Sequence, residues 1–207
     1  MILRVYNEKG NPRGTLNALV RALEDGELII IPTDTRYSIC CDALNQKSLT
    51  KLTSIKGIDT DKGHFSILCT DLSQVSTYAR MDNDAFKLIK RNTPGSFTFI
   101  LPTSNELPRI YKGRREVGVR IPKHQFVHGL IENFGRPLTG FSLPLPQGKD
   151  DEAYLYNPEL MDESWGTQVA FVADGGVGTL ALSTIIDCTQ EPYEIIREGV
   201  GEIEIEE

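Results

Sequence analysis

The chain has no uninterrupted apolar stretch near the roughly 20 residues that a membrane-spanning helix requires. Its opening residues, M1-I-L-R-V-Y-N-E8, contain no secretory hydrophobic region. These absences lead to the expectation of a cytoplasmic protein with no membrane partner. Paired cysteines are missing as well: Cys40, Cys41, Cys69 and Cys188 show no C-x-x-C spacing. On a shared strand Cys40 and Cys41 point to opposite faces, which suits neither a disulfide framework nor a zinc site. An excess of positive charge is also lacking. With 22 Lys and Arg against 29 Asp and Glu, the net charge is −7, so the surface as a whole has no electrostatic reason to collect nucleic acid. Any RNA site must be a local basic concavity. His124 and His128 stand at i, i+4 on an expected helix, but the Glu of H-E-x-x-H and a third ligand are missing, so no metal site is assigned. His64 reads as a loop histidine.

What is present is the pattern of a single α/β domain over 1–207, long enough to bury a substantial core. Leu16, Leu19, Val20 and Leu23 recur at i, i+3, i+4, i+7, the buried stripe of a helix. Asn11-Pro12 reads as its cap and first turn, and Gly26 as its stop. Further helices are expected over 46–56, 71–78, 83–90, 124–134 and from Asn157-Pro158 to about 163. Strands are expected at 27–31, 37–41, 65–69, 96–101, 117–121, 137–143, 169–173, 184–188 and 193–197. Several strands follow one another without a helix between them, which argues for a sheet of mixed direction. The stretch 145–156 reads as a flexible loop, A173-D-G-G-V-G178 as a tight turn, and the acidic tail from Gly199 as frayed. Trp165, the lone tryptophan, reads as a packing anchor.

Polar clusters fall at the strand ends: Thr33-Asp34-Thr35, Arg120 between Gly118 and Pro122, Ser142 between Gly140 and Pro144, Ser183-Thr184, and Arg197. Strand ends border the crevice where open α/β sheets bind ligands. Hydroxyls beside Arg and Lys are the donors and charges that a phosphate or carboxylate needs.

The stretch from Pro32 to Asp42, P-T-D-T-R-Y-S-I-C-C-D, resembles the P-T-[DE]-T-x-Y-G-L-G-x-D signature of the YrdC-like family, whose best-known members are threonylcarbamoyl-AMP synthases. Lys56-Gly57 is similar to the start of the family's K-x-R, and T93-P-G-S-F-T-F-I-L101 to its P-G-x-x-T-x-[IV]-L. V117-G-V-R-I-P122 resembles V-x-V-R-x-P, F141-S-L the S-x-N region, L182-S-T-I-I-D187 the P-S-T-[IV]-[IV]-D, and I196-R-E-G199 the closing R-x-G. The spacing looks most like the YciO branch.

The resemblance implies a twisted open mixed sheet flanked by helices, with a concave, positively charged crevice that takes ATP and L-threonine. Threonine and bicarbonate form a carbamate that attacks the α-phosphate and releases pyrophosphate, and the threonylcarbamoyl-AMP product serves tRNA modification. Carried over residue by residue, Thr33 and Thr35 would bond substrate and Tyr37 would wall the pocket. Thr184 falls with the substrate contacts. Lys56 would meet phosphate or the threonine carboxylate, Arg120 would hold threonine, and Ser142, Ser183 and Arg197 would donate to ATP, with Mg²⁺ as its counter-ion. Catalysis of this kind rests on positioning and on neutralising phosphate charge, with Lys56 and Arg120 as its expected carriers. The sequence departs from the pattern at Ile58, Pro144, Phe141 and Ser38. Ile58 and Pro144 stand where synthases carry an Arg and an Asn; Lys62 would restore charge near Ile58 without an arginine's fork. The alternative is a binding module for double-stranded RNA or tRNA without chemistry, for which Lys112, Arg114 and Arg115 offer a local basic patch.

Overall fold

The computed structural model describes residues 1–8, 10–55, 66–108, 111 and 115–204. Lys56, Ile58, Lys62, His64, Lys112 and Arg114 lie outside the described residues. Among those described, ten strands form one mixed sheet flanked by six helices, and no helix is long and apolar enough to cross a membrane. The strands are β1 (Ile2–Arg4), β2 (Ile29–Ile31), β3 (Ser38–Asp42), β4 (Ser66–Leu68), β5 (Phe97–Pro102), β6 (Glu116–Arg120), β7 (Leu138–Ser142), β8 (Phe171–Asp174), β9 (Thr184–Asp187) and β10 (Glu194–Arg197). Across the sheet they run β1-β8-β2-β3-β7-β4-β6-β5-β9-β10. The helices are α1 (Arg13–Glu24), α2 (Gln46–Thr53), α3 (Leu72–Tyr78), α4 (Asn83–Asn92), α5 (Gln125–Phe134) and α6 (Pro158–Trp165).

The period-2 alternation of the strands divides the core. Ile29 and Ile31 face one cluster with Cys40, Leu19 and Leu23 of α1, and Phe126, Leu130 and Ile131 of α5. Ile30 and Cys41 face the other, with Leu49 and Leu52 of α2, Val75, Ile89 and Trp165. The adjacent cysteines thus lie on opposite faces, as their strand position requires. All four thiols are buried; burial pushes those of Cys40 and Cys188 up to about 12, which leaves them protonated and poor nucleophiles near neutral pH.

The helix ends follow the expected chemistry with one exception. Gly26 and Gly135 both take φ of 77° beyond α1 and α5, a conformation that favours glycine. Asn157 caps α6 by accepting the Glu159 N–H, with Pro158 in the first turn. Asn11, however, does not cap α1. Its amide instead forms a two-way pair with the backbone of Tyr6, accepting at 2.7 Å and donating at 2.8 Å.

Three segments differ from the sequence expectation because tertiary contacts hold them. β1 was not anticipated; it pairs parallel to β8 at the sheet edge. The stretch expected as a flexible loop contains a 3-10 turn, Glu152–Leu155, whose Tyr154 and Leu155 are buried. Lys149 Nζ fastens it by donating to Tyr154 Oη and Glu163 Oε1. The tail up to Glu204 is a strap rather than a frayed end. Thr184 Oγ1 donates to Gly201 O (2.7 Å) and accepts from Gly199 N–H (3.0 Å), while Asn92 exchanges two bonds with Glu204.

Thr184→Val keeps shape but deletes both hydroxyl bonds of the strap, leaving Gly201 O and Gly199 N–H without this partner. The expected outcome in urea unfolding is a loss of about 1–3 kcal/mol. An unchanged midpoint would show that the strap contributes nothing to stability.

Candidate functional site: an arginine cluster on the sheet

The hydroxyl-rich break between β2 and β3 is a turn held by its own side chains. Thr33 Oγ1 donates to Arg36 O (2.8 Å) and accepts the Thr35 N–H (3.1 Å), and the hydroxyls of Thr33 and Thr35 lie 3.1 Å apart. Thr and Asp side chains commonly satisfy local backbone in this way. The turn then meets the distant half of the sheet. Arg120 Nη2, from the end of β6, donates to Thr35 Oγ1 (3.0 Å) and to Asp34 Oδ1 (2.9 Å). Asp34 Oδ2 accepts from Ser96 Oγ (3.2 Å) and Lys123 N–H (3.1 Å). The Asp34 and Arg120 side chains are only 7% and 6% exposed, so this is a buried ion pair. Burial pushes the Arg120 pKa down, and Asp34 opposes that shift. Arg120 Nε is buried without a hydrogen-bond partner.

A second arginine lies within electrostatic reach. Arg197, ending β10, donates through Nε and Nη2 to Ser183 O (3.1 and 2.8 Å) and through Nη2 to Ser183 Oγ (3.1 Å). Ser183 Oγ also shares a hydrogen bond with Thr98 Oγ1 at 2.9 Å. The Arg197 pKa is lowered by burial first, and then by the charges of Arg120 and Arg36. Arg36 is fixed against the segment before β9: its N–H donates to Ala181 O (3.1 Å) and its Nε to Leu180 O (2.8 Å).

The register of the sheet places Ser142 on the same face as Arg120. Leu138 of β7 pairs with Leu68 of β4, which pairs with Arg120, and Ser142 lies two pleats of β7 beyond Leu138. Between them runs a row of small residues in register, Gly118–Ser66–Gly140. Ser142 is itself exposed and pairs with Ser38 across β3.

Thr33, Thr35, Arg120, Ser183 and Arg197 are therefore brought together, and Ser142 shares their sheet face. Two expected substrate contacts are used elsewhere. Tyr37 is buried, and its hydroxyl donates to Gly176 O (2.7 Å) and accepts from Gly175 N–H (3.0 Å). A Cβ at Gly178 would come within 2.7 Å of its ring, so the glycine turn is shaped around the tyrosine, which anchors that turn. Thr184 commits its hydroxyl to the strap, because alternation turns it away from Ser183. Lys56 lies outside the described residues. Sequence reasoning gave no role to Arg36, Ser96 or Thr98, and left Asp34 without a partner. Arg36 carries one signal, a charge between two motif positions; Ser96 and Thr98 gain their meaning only from strands that meet in space.

Among the described residues no group of three His, Cys, Asp or Glu could hold a metal ion. His124 precedes α5, its Nδ1 is buried without a hydrogen-bond partner, and burial lowers its pKa to about 4. His128 Nε2 lies 2.7 Å from Pro122 O.

Two outcomes are expected. Asp34→Asn strips the counter-charge from a buried guanidinium, a change that costs about 3–5 kcal/mol. Urea unfolding of the single variant and of Asp34→Asn/Arg120→Met checks it, since the double variant should regain part of the loss. For His124, the folded pKa of about 4 lies below the unfolded value near 6.5. The unfolded chain therefore binds more protons between these values, and stability falls as pH drops through that window. His124→Asn should flatten the urea midpoint between pH 7 and pH 4.5; an equally steep profile would remove His124 as the cause.

Residues 21–199 match the Sua5/YciO/YrdC family model, described as "Telomere recombination". The YciO protein of Escherichia coli is 34% identical over 201 residues, covering 96% of each chain. Its crystal structure superposes with a TM-score of 0.86 over 98% of both chains. A putative threonylcarbamoyl-AMP synthase of Methanocaldococcus jannaschii is 30% identical over 202 residues, covering 96% of this chain and 93% of that one. Sua5 of Pyrococcus abyssi, solved in complex with L-threonine, has a TM-score of 0.85 at 27% identity and covers all of this chain and 62% of its own. The mixed sheet, the signature turn locked onto Arg120 and the match over most of its length agree: this chain belongs to the Sua5/YciO/YrdC family.

Proposed function

We propose that the protein is an ATP-dependent, adenylate-forming enzyme of the threonylcarbamoyl-AMP type. The observation that carries this reading is the convergence of Thr33, Thr35, Arg120, Ser183 and Arg197 on one face of a sheet that superposes on a threonine-bound relative. Arg120 is held by Asp34 and Thr35 and keeps a buried Nε without a partner. It would meet the carboxylate of L-threonine. Ser183 and Arg197, with Ser142 on the same sheet face, would donate to the phosphates of ATP.

In the reaction, the threonine amine and bicarbonate condense to a carbamate with loss of water. A carbamate oxygen then attacks the α-phosphorus, the bond from that phosphorus to the bridging oxygen breaks, and pyrophosphate leaves with the bond electrons. This chemistry needs no covalent nucleophile, in keeping with four buried, protonated thiols. Fixed guanidiniums and hydroxyls act by holding the two anions in line and by countering the charge that develops on the leaving group. Among the described residues no three acidic or imidazole groups form a cage. Mg²⁺ bound with the nucleotide would supply further positive charge toward its phosphates, beside Arg197 and Ser183.

The test is pyrophosphate release from ATP with threonine and bicarbonate, beside an ATP–magnesium titration. Wild-type protein should release pyrophosphate only when both co-substrates are present, and Arg197→Gln should lower the rate by about tenfold or more, the loss of one charge-assisted contact. A flat titration at millimolar nucleotide would remove the enzyme reading.

A further inference from the structure

We propose that Arg36 is an additional anion-binding residue of this cluster and that, with Arg120 and Arg197, it makes the site selective for a polyphosphate chain over a single phosphate. The inference rests on the ATP reading above and specifies which part of the nucleotide the site reads.

Arg36 and Arg197 bond to one segment, at Leu180–Ala181 and at Ser183. Arg197 feels the charges of Arg36 and Arg120, and one carboxylate is paired in the cluster. Asp34 is paired to Arg120. Arg197 donates only to Ser183 among the described contacts, and the Arg36 side chain donates only to Leu180 O. Backbone carbonyls and a hydroxyl orient a guanidinium but do not neutralise it. Formally the three arginines and one aspartate leave two positive charges on partly buried groups. Like charges gathered away from water oppose folding, and the Arg197 pKa is lowered by burial first and then by the charges of Arg120 and Arg36. A ligand carrying at least two negative charges would relieve that repulsion.

Geometry also favours Arg36 as a donor. Two bonds, from its N–H to Ala181 O and from its Nε to Leu180 O, fix both ends of the residue against the segment that leads to Ser183. The Nε bond occupies one of five donors and leaves the terminal fork, which matches two phosphate oxygens. The Asp34 carboxylate is ion-paired with Arg120 and also accepts from Ser96 and Lys123; among the described ion pairs it has none with Arg36.

Calorimetry with AMP, ADP, ATP and inorganic pyrophosphate on wild-type protein and Arg36→Gln is the test. Wild-type affinity should rise with phosphate number, and Arg36→Gln should weaken ATP and pyrophosphate by roughly tenfold or more while changing AMP by less than about twofold. The ATP-induced rise in Tm should shrink in the variant, whereas the ligand-free Tm should hold or increase as repulsion is relieved. A purely structural Arg36 would do the reverse, lowering the ligand-free Tm and leaving ATP affinity intact; that result overturns the proposal. Pyrophosphate binding that depends on Arg36 without ATP binding would sustain this inference while removing the nucleotide reading. Wild-type protein that binds neither would remove both.

Discussion

The buried pair between Asp34 and Arg120 is the contact on which the candidate site depends. Asp34 belongs to the turn between β2 and β3, Arg120 to the end of β6, and two strands, β7 and β4, lie between β3 and β6 in the sheet. The two side chains meet because the turn after β2 reaches the end of β6 on the shared sheet face. Ser96 and Lys123 join the same carboxylate, so one acidic group gathers the entrances to β5 and α5 around the guanidinium. A buried pair of this kind is not a strong source of net stability, since desolvation offsets most of the attraction. Its effect is to specify geometry: once Asp34 is fixed, Arg120 has one place to go.

Charge is distributed unevenly around that pair. The protein as a whole is acidic, at −7, yet Arg197 feels the positive charges of both Arg120 and Arg36, and the one ion pair described in the cluster is that of Arg120 with Asp34. Such local tension is tolerable because the rest of the sheet is well buried on both faces, with separate apolar clusters under α1 and α5 and under α2, α3, α4 and α6. It also gives the site its chemical direction. A cluster of fixed donors with surplus positive charge stabilises anions and does so without reorganising, which is what transfer of an adenylyl group would demand.

Small residues and straps complete the arrangement. Gly178 leaves room for the Tyr37 ring, and the Tyr37 hydroxyl bonds to Gly175 and Gly176 of the turn after β8, which fixes the residue next to Arg36. The tail through Glu204 is laid across β9 by Thr184 and tied to α4 by Asn92. Neither feature touches the arginines, but each immobilises a segment that carries one: Tyr37 follows Arg36, and the strap follows Arg197.

Periodicity alone determined the helices and most of the strands, because the buried stripe of α1 and the alternation of β2 and β3 are properties of consecutive residues. Turn and cap chemistry marked Gly26 and Asn157-Pro158 for the same reason. The signature P-T-D-T-R-Y and its companions marked Thr33, Thr35, Arg120, Ser183 and Arg197, all of which the fold gathers. Tertiary structure decided the rest. Whether a hydroxyl faces the arginines or a strap depends on which side of β9 it occupies, and so Ser183 and Thr184 part company. Asn11 turned to Tyr6, and β1 found an edge beside β8, through partners far away in the chain or outside the helix it was expected to cap. The pairing of Asp34 with Arg120, and the meeting of Arg36 and Arg197 on the segment from Leu180 to Ser183, arise from the order of strands across the sheet, which no short stretch of sequence encodes.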